Sequence, residues 1–291
     1  MLNDWDGRTA VRGVRYLFEM RQILNLRAAV YCNPCATWHN LIRMALAPVT
    51  IITVARNGYF FTRLLVEKVR EHTVGRPFEI IVVDRGSKDG SREWLKQQAD
   101  VNLMKFAQWR TRGHGHGEAA ERAIRVAKYE RIVLMDFDAH PLSPDWLAES
   151  VDKLDDNHRL AGAVFVDKHK ANPNGWYIHP HFMAFFKSDL DGLIVLRKVR
   201  GEDADTGEEA TIRVTEAGRG VIRLPIHFCS RFGVGHPRVP TVSGGVFHAW
   251  YSSRLENNEA EVIRETQGQV TRATYLDPLK ALLRASYGLS Y

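Results

Sequence analysis

Residues Arg131-Ile132-Val133-Leu134-Met135-Asp136-Phe137-Asp138-Ala139-His140-Pro141 constrain the fold more than any other stretch. An apolar run leads into a carboxylate, an aromatic ring and a second carboxylate, and a turn follows. A short apolar run bounded in this way is expected to be a strand buried on both faces of a parallel sheet. Ligands of open α/β sheets bind just beyond the carboxyl ends of such strands. Asp136 and Asp138 therefore stand where chemistry is expected, and a divalent cation between them would also bridge phosphate oxygens. His140 has three open readings: neighbour of that grip, extra ligand or plain turn residue.

Two earlier segments repeat the pattern. Val49-Thr50-Ile51-Ile52-Thr53-Val54 is β-branched throughout and follows Pro48, and Ala55-Arg56-Asn57-Gly58 makes the turn after it. Phe61, Leu64, Leu65 and Val69 then recur at helical spacing until Gly75 and Pro77. Phe78 to Asp84 is the second strand. The βαβ unit makes the two strands parallel neighbours. Asp84-Arg85-Gly86-Ser87-Lys88-Asp89-Gly90-Ser91 turns tightly, and Ser87 or Asp89 is placed to cap a helix beginning near Ser91. Val101 to Met104 is a short third strand. Arg112-Gly113-His114-Gly115-His116-Gly117 then leads into a helix from Glu118, and a Gly-rich loop at a helix N-terminus suits an anion.

Beyond Asp138, Pro141 to Trp146 is expected to open a helix, with Pro and Asp in its first turn. Leu160 to Val166 reads as a strand. Residues 167–200 mix His, Asn, Pro and aromatics, a composition suited to a substrate wall. Asp203 to Glu209 is an acidic loop before a helix ending near Gly218, and Val221 to Leu224 is a strand. Gly244 to Tyr251 sets His248 among aromatics. The expected organisation is a helical N-terminal extension over 1–47, a main domain over 48–255 and a helical C-terminal tail over 256–291. Three roles stay open for the extension: bracing the domain, forming a homo-oligomer, or touching an acceptor.

Composition narrows the class. The chain has 291 residues, 45% of them hydrophobic and 25% charged, as in ordinary globular proteins. The net charge of +6 suits a polyanionic partner such as a nucleotide diphosphate, a membrane surface or nucleic acid. No apolar run is long enough to span a bilayer and no signal peptide opens the chain, so a cytoplasmic location is expected. Three cysteines exclude a disulfide scaffold. Cys32, Cys35 and His39 have the spacing of half a zinc site, with Cys229 far off as a fourth ligand; ordinary thiols are the expected reading.

The order Val49–Asn57, Ile80–Ser91, Arg131–Pro141 resembles the family-2 nucleotide-sugar glycosyltransferases of the GT-A fold. Val83-Asp84-Arg85-Gly86-Ser87-Lys88-Asp89-Gly90-Ser91 matches their second-strand loop, and Asp136-Phe137-Asp138 their DxD motif. The resemblance implies an α/β fold with a Rossmann-like, mixed but mainly parallel sheet flanked by helices. It implies transfer of a hexose or pentose from a UDP- or GDP-sugar to an acceptor nucleophile, with inversion. By matching positions, Ala55, Arg56 and Asn57 would flank the nucleotide and Asp84 would bond the base. Gly115 and His116 would lie beside base and ribose, Asp136 would meet ribose or metal, and Arg254 would face the diphosphate.

Asp138 and His248 would hold Mn²⁺ or Mg²⁺, and the imidazole favours manganese. Asp205 is the expected general base, with Asp203, Glu208 and Glu209 as nearby alternatives. The expected acceptor is a glycan or a lipid-linked cell-envelope intermediate; a polypeptide or a modified base in DNA are alternatives. Two rivals of other classes are a sugar nucleotidyltransferase, whose Gly-rich signature is missing after the first strand, and a non-catalytic sugar-nucleotide binding domain, which would not need an intact metal triad.

Overall fold

The computed structural model describes residues 46–106, 115–166, 172–197, 199, 205–228 and 240–291. Most of the N-terminal extension, with its cysteines, and Cys229 lie outside these residues, as do His114 and Asp203.

Four parallel strands form one half of the central sheet: β1 (Val49–Ala55), β2 (Phe78–Asp84), β3 (Val101–Lys105) and β4 (Arg131–Asp136). β6 (His158–Val166), β7 (Trp176–Phe186) and β8 (Gly220–Pro225) complete it. The order is β3-β2-β1-β4-β7-β6-β8, and β7 alone runs against the rest. This is the mixed, mainly parallel sheet expected from the sequence.

Period-two alternation sorts each strand's side chains onto two faces. Ile51, Ile80, Val82 and Val133 enter one hydrophobic cluster, and Ile52, Ile81, Val83, Ile132 and Leu134 the other. Helix α1 (Tyr59–His72) covers the first face with Phe61, Leu64 and Leu65; α2 (Ser91–Leu95) follows β2. Helix α3 (Gly115–Val126) covers the second face with Ala119, Ala120, Ala123 and Ile124, aided by α4 (Glu208–Glu216). Each fully buried Leu or Ile contributes about 1.5–3 kcal/mol.

The C-terminal residues belong to the same core. Helix α5 (Ser252–Glu265) spans the 255/256 boundary, and a π-helical turn, Arg272–Leu276, leads into α6 (Asp277–Tyr287). Leu255, Val262, Tyr275, Leu279 and Leu283 are buried in one cluster with β1. Among the described residues no helix is long and apolar enough to cross a membrane.

One local expectation needs correction. The helix expected to open over Pro141 to Trp146 does not form, and Ala139–Pro141 is a strand, β5, of a second sheet. Its order is β5-β11-β10-β9, with β9 (His227–Phe228), β10 (Thr241–Ser243) and β11 (Val246–His248), all antiparallel. Residues 143–150 then fold as successive four-residue turns, Trp146 N–H to Ser143 C=O at 3.2 Å and Ala148 N–H to Asp145 C=O at 2.9 Å. The buried Trp146 anchors them by donating to Thr73 at 3.3 Å.

Within 167–200 lies a strand that the composition conceals. It is Trp176–Phe186, eleven residues between β4 and β6. Pro180 hides it, because proline is excluded from regular central strands. Here β4 pairs only with Phe182–Phe186, and the β6 register breaks between Gly162 and Val164. Pro180 therefore falls where neither ladder asks for its N–H.

Candidate active site

The loops after β1 and β2 are zipped together. Asn57 donates its N–H to Ser87 Oγ at 3.0 Å, and its Oδ1 accepts from Lys88 N–H at 2.9 Å. Asp89 accepts from Tyr59 N–H at 2.8 Å and Ser91 N–H at 3.2 Å, so one carboxylate serves the starts of α1 and α2. Asp84 is 1% exposed; it accepts from Ser87 N–H at 3.0 Å and pairs with Arg92. Burial pushes its carboxyl up, but the bonds from Ser87 and Arg92 outweigh this and hold it below the usual range. Asp84 thus braces the loop from inside.

The second half of the site comes from pairing distant in sequence. Gly244-Gly245, both at positive φ (54° and 82°), make a two-residue hairpin turn between β10 and β11. That turn sets the register that places His248 opposite Ala139, next to Asp138. Ala249 N–H then donates to Asp138 C=O at 3.0 Å. Trp250 and Tyr251 follow at φ 39° and 62°, a strained conformation for bulky residues. The reversal aims Ser252 Oγ and Ser253 N–H at Asp138 Oδ2, the latter at 3.3 Å. On the other side the ring of Phe137 fills the space beside Gly58, where a Cβ would lie 2.0 Å from Phe137 Cε2.

Asp136, Asp138 and His248 converge, their ligand atoms all within 4.8 Å of one another. His248 Nε2 lies 3.4 Å from Asp138 Oδ1 and 3.7 Å from Asp136 Oδ2. His116, in the first turn of α3, brings Nε2 to 3.8 Å from Asp136 Oδ1, and this buried nitrogen has no hydrogen-bond partner. Burial, then the Asp138 charge, pushes Asp136 up to about 7. Burial acts the same way on Asp138, but His248, Ser252 and Ser253 reverse it and leave that carboxyl below its ordinary value. Burial and the Arg85 charge bring His116 down to about 4, so its imidazole is neutral at pH 7. Two carboxylates and an imidazole within this span fit a divalent cation that accepts mixed O and N ligands.

Asp205 joins the same electrostatic field, its charge reaching His116, His179 and Asp136. Tyr177 OH donates to Asp205 Oδ2 at 2.8 Å and Thr206 N–H to Oδ1 at 2.7 Å, while His179 Nε2 lies 3.5 Å away. Burial would raise its carboxyl, yet these neighbours hold it lowered. The alternatives are otherwise engaged: Glu208 accepts from Asp205 N–H at 3.2 Å and Glu209 pairs with Arg213. Beside Asp205, His181 stacks on His248 with centroids 4.4 Å apart, and Trp250 is flanked by His179 at 5.0 Å and Phe165 at 5.7 Å.

A cavity of about 490 Å³ opens onto Asp136 and Asp138, within the usual range of small-molecule sites. Ala55, Arg56, His116, Asp136, Asp138 and Arg254 are among the residues that line it, and Asp84, Asn57, Gly115 and His248 are not. Arg254 reaches the wall already paired, with Glu261 at 3.1 Å and with Glu265. Arg85 and Asn257 in the lining and Ser252 beside Asp138 had no expectation attached to them, whereas Tyr177, His179 and His181 come from the 167–200 stretch expected to form a substrate wall.

The sequence signature of glycosyl transferase family 2 matches residues 50–213, more than half of the chain. No curated protein sequence matches. Among solved structures, the chain is similar to a mannosyltransferase from Pyrobaculum calidifontis in complex with GDP-mannose and Mn²⁺, with 18% identity and a TM-score of 0.48, over 97% of this chain and 87% of that one. It is also similar to glucosyl-3-phosphoglycerate synthase from Mycobacterium tuberculosis in complex with Mn²⁺, UDP and glucosyl-3-phosphoglycerate, with 16% identity and a TM-score of 0.48, over 62% of this chain and 70% of that one. With its motifs in family order and its sheet in the GT-A arrangement, this chain belongs to glycosyl transferase family 2 and is a nucleotide-sugar glycosyltransferase.

Proposed function

We propose that the enzyme takes its sugar from a UDP- or GDP-linked donor in the cavity beside the Asp136–Asp138–His248 triad, and passes it with inversion to an acceptor hydroxyl delivered to Asp205. The observation that carries this reading is the convergence of that triad at the carboxyl edge of the parallel strands, with the cavity lined from both strand loops and α5. Asp138 and His248 would hold Mn²⁺, with Asp136 turned to the metal or the ribose. A cation bound there supplies a Lewis acid against the charge that builds on the departing diphosphate.

The chain's own residues do the rest. Ser252 and Ser253 fix Asp138, so the ligand set is built before anything binds. Ala55, Arg56 and the neutral His116 flank the nucleotide. Asp205, ionised at neutral pH and oriented by Tyr177, accepts the proton of the attacking hydroxyl. The new bond to the anomeric carbon forms as the bond to the diphosphate oxygen breaks, and that oxygen leaves with the electron pair. We assign the acceptor to glycans or lipid-linked envelope intermediates, the default of the family. We also propose that residues 48–255 form the catalytic domain, with 1–47 and 256–291 as its helical extensions.

A panel of UDP-, GDP- and dTDP-sugars with candidate acceptors and Mn²⁺, read by mass spectrometry, tests the proposal. The expected result is one donor that releases its nucleoside diphosphate and adds one sugar mass to an acceptor. Inertness towards every donor would refute it.

A further inference from the structure

Strand β7 does not run straight past the site. On its β6 side Met183 is the partner of Gly162 and Ile178 that of Val164, so four residues, His179 to Phe182, stand against Ala163 alone. Bulges re-aim side chains and gather beside active sites. On its β4 side the ladder ends at Phe182, opposite Met135, and the next residues outward are His181 and Asp136. The bulge therefore opens at the carboxyl end of β4. It carries His179 to Asp205 and His181 to the ring of His248.

Hydrogen bonds inside the bulge fix which nitrogen of each ring carries a proton. His179 Nδ1 lies 3.2 Å from His181 N–H, a group that can only donate, so this nitrogen is an acceptor and holds no proton. A neutral His179 then carries its proton on Nε2, the nitrogen 3.5 Å from Asp205 Oδ2. His181 Nδ1, 2.8 Å from the same acceptor, is the second donor to it. Burial brings His179 down to about 4 despite the Asp205 charge, in keeping with a neutral ring at pH 7. Asp205 Oδ2 thus faces two groups of β7, Tyr177 OH at 2.8 Å and His179 Nε2–H. Oδ1 accepts from Thr206 N–H alone among the described residues, which leaves it a lone pair.

Resting on the reading of Asp205 as general base, we infer that His179 is a positioning residue of the transfer: its Nε2–H, aimed by the bulge, holds Asp205 Oδ2 and leaves Oδ1 to take the proton of the acceptor hydroxyl. Long hydrogen bonds at a catalytic group tighten in the reacting complex. The proton passes from the hydroxyl to Oδ1 while that of His179 stays on Nε2, so Asp205 is the sole base. His179 also packs on Trp250, with centroids 5.0 Å apart. Donation and packing are separable by substitution.

Two measurements on the full chain test this. A long-range proton–nitrogen NMR spectrum of histidine-labelled protein at pH 7 in EDTA, with His179→Phe identifying the signals, should show His179 protonated at Nε2 only and His181 at Nδ1. A proton on His179 Nδ1 overturns the inference. The second measurement is hydrolysis of a panel of UDP- and GDP-sugars in Mn²⁺, with water as the acceptor. His179→Phe keeps a ring beside Trp250 but has no N–H. It should lower kcat by about tenfold to a hundredfold, the usual cost of losing an outer partner. Binding of Mn²⁺, UDP and GDP and the melting behaviour should not change. His179→Gln, whose amide N–H stands where Nε2–H does, should recover most of the loss. Full kcat in the phenylalanine variant, or a glutamine variant no better than it, makes His179 a packing element and overturns the inference. Undiminished kcat in Asp205→Asn removes the base reading itself, and the inference with it.

Discussion

Asp136→Asn should stabilise the metal-free protein while damaging its function. The Asp136 carboxyl rises from an ordinary 3.8 to about 7, first through burial and then through the Asp138 charge. Its folded value lies above its unfolded value, so the folded state binds more protons between about pH 4 and pH 7. Stability then falls as pH rises across that window and is flat above it. A shift of about three units corresponds to about 4 kcal/mol. The side chain keeps 23% of its exposure, which lowers the expected gain to about 2–4 kcal/mol. Neutral asparagine removes this burden and keeps the shape. Urea denaturation in EDTA from pH 5 to pH 8 measures it. The variant should exceed the wild type by about 2–4 kcal/mol at pH 8, and the gap should close towards pH 5. Added Mn²⁺ should reverse the order, because only the wild type gains binding energy. Equal or lower stability of the variant at pH 8 in EDTA would refute the reasoning.

Three further outcomes follow from the same geometry. Ser252→Ala removes the hydroxyl that holds Asp138 and should weaken Mn²⁺ binding by about tenfold to a hundredfold, measured by calorimetry. Gly58→Ala drives a Cβ into the Phe137 ring between the two carboxylates and should cost about 1–3 kcal/mol in urea denaturation, together with metal affinity. Asp205→Asn should lower kcat by about 10²–10⁴-fold with donor Kd unchanged, whereas Tyr177→Phe, which only orients Asp205, should cost less.

The strands that carry the site were legible because their signals are local. β1, β2 and β4 are short apolar runs closed by turns or acids, and two-sided burial writes itself directly into such a run. Arg56, Asp136 and Asp138 stand at or just beyond the ends of those strands, whereas His116, in the first turn of α3, was placed by resemblance. What lay hidden depends on contacts between distant segments. β7 is masked by Pro180, which a break in the neighbouring ladder makes harmless. Ser252 reaches Asp138 only because Trp250 and Tyr251 adopt positive φ, and no residue pattern announces that for two aromatics. Arg92 reaches Asp84 from eight residues on, a pairing that the loop motif does not announce. His248 was placed by resemblance; its physical cause is the β5–β11 register, which no sequence window of ordinary length contains.

The central claim is that the cluster around Asp138 operates on the diphosphate of a sugar nucleotide. Its most direct test is release of nucleoside diphosphate from the donor panel by wild type and Asp138→Ala, with Mn²⁺ and with EDTA, at matched melting behaviour. Release by the wild type in Mn²⁺ alone, and none from the variant, is the predicted result. Undiminished release by a folded Asp138→Ala enzyme would contradict the account.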